Sequence, residues 1–354
     1  MNTLLLLPGL FASDGGIERI LRLYVRSVGE LTTTNGRVYA VVLNDKKNDF
    51  SRLAPYSTPA LAQPVGCGRN KLACVWHTVR LARRTQRIVC GHINLLCLAH
   101  FARRFSPGLE VWLVAHGIEV WRTFSTAERR ALSAAERILC VSDYTRRQLA
   151  ANCPNISEAR LLVLPNALDP QFSVPPARPD KTEAGLILSV TRLDATEAYK
   201  GVDHLILAMP AIRAAVPNAR LRIVGTGADR ARLEKIAGEL EGNAIEFTGR
   251  VSDEALRGHL AACHVFALPS RGEGFGLVYL EALANGKPCL AANAGGAPEV
   301  VDSTCGALVT YGDVPALTRA CIEALRRVWD PTKLRSRAAD FSFEIFQRRL
   351  ATVW

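Results

Sequence analysis

The sequence predicts an α/β protein made of two doubly wound parallel-sheet domains. Short apolar runs alternate with longer helical stretches through most of the 354 residues, the pattern of strands joined by crossover helices. One stretch, PQFSVPPARPDKTEA at 170–184, breaks this alternation with four prolines and no hydrophobic periodicity. It reads as a linker. The length exceeds one average domain, so an alternating half on each side of the linker is the expected division.

In the first half, the leucine run over 4–7 is a strand ended by Pro8-Gly9. It has no cationic flank and no small-residue cleavage site, so it does not read as a signal peptide. Asp14-Gly15-Gly16 precedes a helix over 17–25, and open amides at a helix start attract phosphate. A glycine pair also serves as a plain turn. Strands follow over 38–43, 87–90 and 111–115. A helix over 72–84 sets Arg80, Arg83, Arg84 and then Arg87 at i, i+3, i+4 and i+7, placing four guanidinium groups on one face. His116-Gly117-Ile118-Glu119 lies beyond the carboxyl end of a strand, where open α/β sheets bind ligands. A structural histidine is the alternative there. A strand over 137–140 leads to a helix capped by Ser142 or Asp143, and 161–166 is a further strand entering a turn.

The second half restarts with strands over 186–190, 220–224 and 245–248 and helices over 202–214, 230–239 and 253–262. Its richest stretch follows. A strand over 264–268 ends at Pro269-Ser270, glycines stand at 272, 274 and 276, and a helix over 277–284 stops at Asn285-Gly286. Glycines let a backbone approach a ligand, and a helix start favours anions. Yet two carboxylates sit here, Glu273 in the loop and Glu281 within the apolar helix. A carboxylate accepts from two vicinal hydroxyls and repels phosphate, so a sugar or ribose suits it better. A solvent-facing glutamate and a structural turn are the alternatives. A strand over 288–291, Gly295-Gly296, a helix over 315–329 and a segment over 331–354 complete the chain.

Composition narrows the classes further. No apolar run approaches the roughly 18–20 residues that span a bilayer. Ten cysteines occur without a Cys-x-x-Cys pair, mostly in apolar runs, which points to a reducing cytoplasm and away from zinc. Residues 1–175 hold 22 Lys and Arg against 12 Asp and Glu, whereas residues 176–354 hold 22 against 21. The excess concentrates between Arg69 and Arg104, eight cations with no acidic residue among them. An anionic membrane surface or an anionic substrate is the expected partner. Nucleic acid is disfavoured, because few aromatics interleave for base stacking.

Taken together, GEGFGLVYLEALANGKPCLA with Glu273 and Glu281 resembles the signature of retaining glycosyltransferase family 4. Leu188-Ser189-Val190-Thr191-Arg192-Leu193 with Lys200-Gly201, Gly225-Thr226-Gly227, Gly249-Arg250-Val251 and Gly295-Gly296-Ala297-Pro298-Glu299 fall in the family's order. So do Gly15-Gly16-Ile17-Glu18, His116-Gly117-Ile118-Glu119 and Pro165-Asn166-Ala167-Leu168-Asp169. The resemblance implies a GT-B fold, two Rossmann-like domains facing a central cleft. Residues 1–172 would form the acceptor-side domain, 173–184 the linker, 185–330 the nucleotide-sugar domain, and 331–354 a segment crossing back to the first.

The resemblance also implies roles. Arg192 and Lys200 would neutralise the donor diphosphate, joined by the amide of Gly16. Glu273, with Gly274, Phe275, Gly276 and Leu277, would hold the donor sugar, and Glu281 the ribose. Backbone near Arg250 and Val251 would face the base, and His116 would lie beside the sugar as a catalytic group with Glu273. The expected reaction moves a hexose, with retention, from a nucleotide diphosphate sugar (uridine favoured, guanosine next) to a glycan acceptor, lipid-linked at the cytoplasmic membrane face. The class is that of bacterial cell-surface polysaccharide assembly. A soluble sugar-phosphate acceptor and a non-catalytic nucleotide-sugar-binding protein are the alternatives. No cofactor or metal is expected, since no Asp-x-Asp occurs. One departure stands out: Arg192 and Lys200 are eight residues apart, where family members often space them by about five, so Asp194–Tyr199 lengthens the loop.

Overall fold

The computed structural model describes residues 1–13, 15–33, 35–173, 182–241 and 243–354. Most of the linker expected over 173–184, and Asp14 of the first glycine loop, lie outside the described residues. The chain divides into two compact units, Met1–Asp169 with Phe343–Trp354, and Pro170–Ser342.

The first unit is built on a seven-stranded sheet. Its strands are β1 (Thr3–Leu7), β2 (Val38–Val42), β3 (Val65–Gly66), β4 (Arg87–Cys90), β5 (Glu110–Ala115), β6 (Arg137–Cys140) and β7 (Leu161–Val163). They run parallel in the order β3-β2-β1-β4-β5-β6-β7. The leucine run of β1 shows why the pattern is continuous rather than alternating. Leu4 and Leu6 enter one hydrophobic cluster, while Leu5 and Leu7 enter another on the opposite face. A parallel strand covered on both sides needs an apolar residue at every position.

The second unit carries a six-stranded parallel sheet of β8 (Leu186–Val190), β9 (Arg220–Val224), β10 (Ile245–Gly249), β11 (Val265–Leu268), β12 (Cys289–Ala292) and β13 (Gly306–Val309), ordered β10-β9-β8-β11-β12-β13. In both sheets the strand order reverses beside the first strand of the unit, at β1/β4 and at β8/β11. Loops that leave neighbouring strands there diverge to opposite faces and open a crevice at the carboxyl ends.

Two expectations change. The basic helix spans Lys71–Ala82, and Arg83 forms its C-cap. Arg87 therefore does not share a helical face with Arg80, Arg83 and Arg84. It opens β4, is buried, pairs with Glu110 at 2.8 Å and lies over the rings of Trp112 and Trp354. A buried guanidinium requires such partners. The return to the first unit begins at Phe343 rather than at 331. Helix Pro331–Ala339 stays in the second unit against helix Leu277–Ala284, whereas helix Phe343–Val353 buries Phe343, Phe346 and Leu350 in the first. Among the described residues, no helix is long and apolar enough to cross a membrane.

Candidate active site

In the second unit the loops leaving β8 and β11 meet. Lys200 closes the first loop, just before helix Val202–Ala215, and Glu273 lies in the second. Their side chains form an ion pair at 2.5 Å, each largely buried. Burial alone would lower the Lys200 pKa, but Glu273 outweighs it, and the ammonium is held above its ordinary value. Arg192, at the start of the same loop, is 78% exposed and pairs with Glu197 of the lengthened segment. Each of the two cations expected at the diphosphate thus faces a carboxylate.

The glycine loop is shaped by its neighbours. The amide of Gly296 donates to the Glu273 carbonyl at 2.7 Å, which fixes Glu273 against Gly295-Gly296. Phe275 is buried edge-on to Phe341 at 5.4 Å, so Phe275 can offer a ligand only its backbone. Gly276 takes φ 96°, and a Cβ there would come within 2.3 Å of the Tyr279 ring. Only glycine fits this start of helix Leu277–Ala284. The Tyr279 hydroxyl in turn donates to the Leu268 carbonyl at 2.6 Å, tying the helix to the end of β11. Glu281 is 5% exposed; it is not a solvent-facing glutamate. Arg250 and Val251 leave the carboxyl end of β10, where Gly225 donates to the Gly249 carbonyl at 2.9 Å.

In the first unit, Gly16 is the first residue of helix Gly16–Leu31 and Gly15 is its N-cap. The loop before it is held by Asp45, whose buried carboxylate accepts from the amides of Leu10 at 2.8 Å and Phe11 at 2.7 Å. Burial raises the Asp45 pKa, and those two amides pull it back. His116 is buried at the carboxyl end of β5. Its Nε2 lies 2.8 Å from the Gly91 carbonyl. A carbonyl only accepts, so Nε2 carries the hydrogen and Nδ1 keeps its lone pair. Nδ1 is buried without a partner. Burial pushes the His116 pKa down to about 4, against the opposing pull of the Gly91 carbonyl and Glu18. The ring is therefore neutral at pH 7 and offers an acceptor.

Several contributors carry no role in the sequence reading. Glu119 accepts from the amides of His116 at 2.6 Å and Gly117 at 3.1 Å and so sets the histidine loop. A glutamate three residues on is the spacing of a capping box, which is the signal that could have found it. His92 stacks on His116 with centroids 6.3 Å apart. With Glu18, Lys71, Asn94 and apolar Val75 and Leu98 it lines a groove of about 590 Å³. Tyr199 and Glu197 belong to the lengthened loop and carry no sequence signal. Beside the groove, helix Lys71–Ala82 exposes Leu72 and Trp76, and Phe101 and Phe105 are exposed nearby. Arg80 lies over Trp76 at 5.1 Å and Arg83 over Phe105 at 5.7 Å. Among the described residues, no group of three His, Cys, Asp or Glu is placed to hold a metal ion.

Comparison with known proteins follows the same division. The family described as Glycosyltransferase Family 4 matches residues 15–172, and that described as Glycosyl transferases group 1 matches 184–327. A GDP-mannose-dependent alpha-(1-6)-phosphatidylinositol monomannoside mannosyltransferase of Mycolicibacterium smegmatis is 38% identical over 335 residues, covering 86% of this chain and 84% of its own. A GDP-mannose-dependent monoacylated alpha-(1-6)-phosphatidylinositol monomannoside mannosyltransferase of Corynebacterium glutamicum is 32% identical over 264 residues, covering 67% and 68%. The solved structure of Anabaena HepE in complex with UDP is similar with a TM-score of 0.78 at 20% identity, covering 100% of this chain and 99% of its own. With both halves matched in order and a relative aligned along most of both chains, this chain belongs to glycosyltransferase family 4, of GT-B fold, and transfers sugar from a nucleotide donor.

Proposed function

We propose that the enzyme moves mannose from GDP-mannose to a lipid-linked acceptor at an anionic membrane surface, with retention at the anomeric carbon and without a divalent metal. One observation carries the transfer chemistry. Lys200 and Glu273 meet at 2.5 Å at the switch point of the second sheet, a cation for the diphosphate beside a carboxylate for sugar hydroxyls. As the bond from C1 to the β-phosphate oxygen breaks, negative charge grows on the diphosphate, and Arg192 and Lys200 take the place a metal has elsewhere. The acceptor oxygen bonds C1 on the face the diphosphate leaves, and the acceptor proton passes to the departing phosphate. Glu281 holds the ribose hydroxyls, and backbone at Arg250-Val251 faces the base. On the first unit, the Gly16 amide is offered to phosphate and His116 Nδ1 to a sugar hydroxyl.

Uridine is the base favoured by the sequence reading. The Mycolicibacterium smegmatis and Corynebacterium glutamicum relatives, aligned over 86% and 67% of this chain, are GDP-mannose-dependent, whereas UDP is bound in a neighbour of 20% identity, which supports guanosine and mannose as the donor proposed here. The membrane part is supported by exposed arginines around Leu72, Trp76, Phe101 and Phe105, apolar groups ringed by cations that suit an acidic bilayer. Ten free cysteines suit the cytoplasmic side.

The test is a donor panel against vesicles carrying acidic phospholipid and a mannosylated inositol lipid, read as nucleoside diphosphate release with and without EDTA. GDP-mannose turns over fastest, EDTA changes nothing, Glu273→Gln abolishes most turnover, and Glu281→Ala chiefly raises the donor KM. Faster turnover of a UDP-sugar overturns the donor. Turnover of a soluble sugar phosphate alone, with no vesicle flotation at low salt, overturns the acceptor.

A further inference from the structure

The loop from Arg192 to Lys200 departs from the family's spacing, and its middle is organised around one carboxylate. Asp194 accepts from the Thr196 amide at 3.0 Å and hydroxyl at 2.7 Å, starting a short turn over Ala195–Lys200. Within that turn Glu197 leaves helical geometry, with φ −110° and ψ 23°. Both ends of the segment are pinned. The Leu193 amide donates to the Thr226 carbonyl at 3.0 Å, and the Asp229 amide to the Leu193 carbonyl at 2.9 Å. At the other end the Arg271 amide donates to the Tyr199 carbonyl at 3.0 Å. The Tyr199 ring occupies the space that a side chain on Gly272 would fill, 2.5 Å from its Cβ.

Between these anchors Glu197 turns its carboxylate to Arg192, and the pair is lopsided. The Arg192 side chain is 78% exposed and that of Glu197 only 13%. One oxygen, Oε1, meets the guanidinium; the other, Oε2, is buried without a hydrogen-bond partner. Asp194, Asp203 and Asp229 line the same recess, and Asp229 is already paired with Arg232 at 2.6 Å. Lys200 and Arg232 line the recess too, but Lys200 is paired with Glu273 and Arg232 with Asp229. The half-satisfied Glu197 carboxylate therefore makes its direct ion pair with a cation that reaches into solvent.

We propose that Glu197 is a determinant of donor and product affinity: it occupies Arg192 in the donor-free enzyme, yields it to the donor diphosphate, and recaptures it as the nucleoside diphosphate leaves. The inference rests on Arg192 being a diphosphate ligand. A diphosphate carries more charge than a carboxylate and accepts from both arms of the guanidinium fork, so it wins the exchange. The broken pair is subtracted from the affinity of every ligand that takes Arg192, because only the unpaired conformer is competent to bind. Donor and product diphosphates are weakened alike, and product release is eased.

Calorimetric titration of GDP and UDP, with GMP and UMP as controls, tests this on the full-length enzyme. Glu197→Gln and Glu197→Ala bind whichever diphosphate the enzyme prefers about fivefold tighter, the scale of one partly exposed ion pair. The monophosphates change less, and product inhibition strengthens by the same factor. Arg192→Ala weakens the diphosphate, and Glu197→Gln adds nothing in that background. Thermal melts confirm that each variant is folded. If Arg192→Ala weakens the diphosphate but both Glu197 variants leave it unchanged or weaker, Glu197 is only a brace of the loop and the proposal is wrong. If Arg192→Ala leaves diphosphate affinity intact, the assignment of Arg192 itself falls and takes the proposal with it.

Discussion

His116 shows how one buried side chain links stability to chemistry. An unfolded histidine titrates near 6.5, and the folded one near 4 because burial disfavours its charged form. Between those values the unfolded chain binds the additional proton, so stability falls as pH drops from about 6.5 to about 4 and levels off below. The slope reaches about 1.4 kcal/mol per pH unit in the middle of that window. Unfolding free energies of the wild type and His116→Asn should therefore converge between pH 7 and pH 5, whatever the variant costs at neutral pH. His92, shifted the same way mainly by burial, remains in both proteins. A gap that stays constant across the range would show that the histidine is not buried neutral. At this scale the sequence was uneven. Glu281 was legible because a carboxylate inside an apolar helix needs a reason. Glu197 was not, because a glutamate in a polar loop looks like solvated surface until its neighbours are placed.

Helix Leu277–Ala284 carries Glu281, and its orientation depends on one backbone conformation. Gly276→Ala forces a side chain into a left-handed position and against the Tyr279 ring. The strain alone is on the order of 1–3 kcal/mol. Moving Tyr279 also breaks its hydrogen bond to the Leu268 carbonyl and tilts Glu281. Gly276→Ala should lower the melting temperature and shrink the thermal shift produced by saturating nucleoside diphosphate; an unchanged shift would show that the helix does not hold the nucleotide. Elements such as β8, β9 and helix Leu277–Ala284 were legible to the residue, since their apolar runs end sharply at glycine or polar residues. β3 and β13 were not. Val65-Gly66 is too short for a pattern, and Gly306–Val309 follows a polar turn without β-branched enrichment. Arg87 misled for a physical reason: helical spacing continues past Ala82 in the sequence, while the backbone has already turned into β4.

For the whole molecule, the two parallel sheets were legible from the alternation, but the order of their strands and the ownership of residues 331–354 were not, since alternation does not say which strands pair and amphipathic helices look alike wherever they pack. Helix Phe343–Val353 completes the first unit. Phe346 meets Tyr24 edge-on at 5.2 Å, Trp354 meets Trp112 at 5.3 Å, and Gln347 donates to Glu30 at 2.5 Å. Burying Phe343, Phe346 and Leu350 is worth about 1.5–3 kcal/mol each, together comparable to the whole stability of a domain. Truncation after Ser342 should selectively unfold the first unit. Hydrogen exchange would then show helix Gly16–Leu31 losing protection while helix Val202–Ala215 keeps its own. Equal protection in both proteins would mean that the returning helix is dispensable.

That division also dictates an order of events during synthesis. The second unit is one uninterrupted stretch and can close as soon as it is made. The first unit, although translated earlier, lacks a wall of its core until residues 343–354 have left the ribosome. Nascent chains must carry an open apolar face on Tyr24 and Trp112 for the time it takes to make the second unit. Chaperone demand should therefore fall on the half of the protein that is made first.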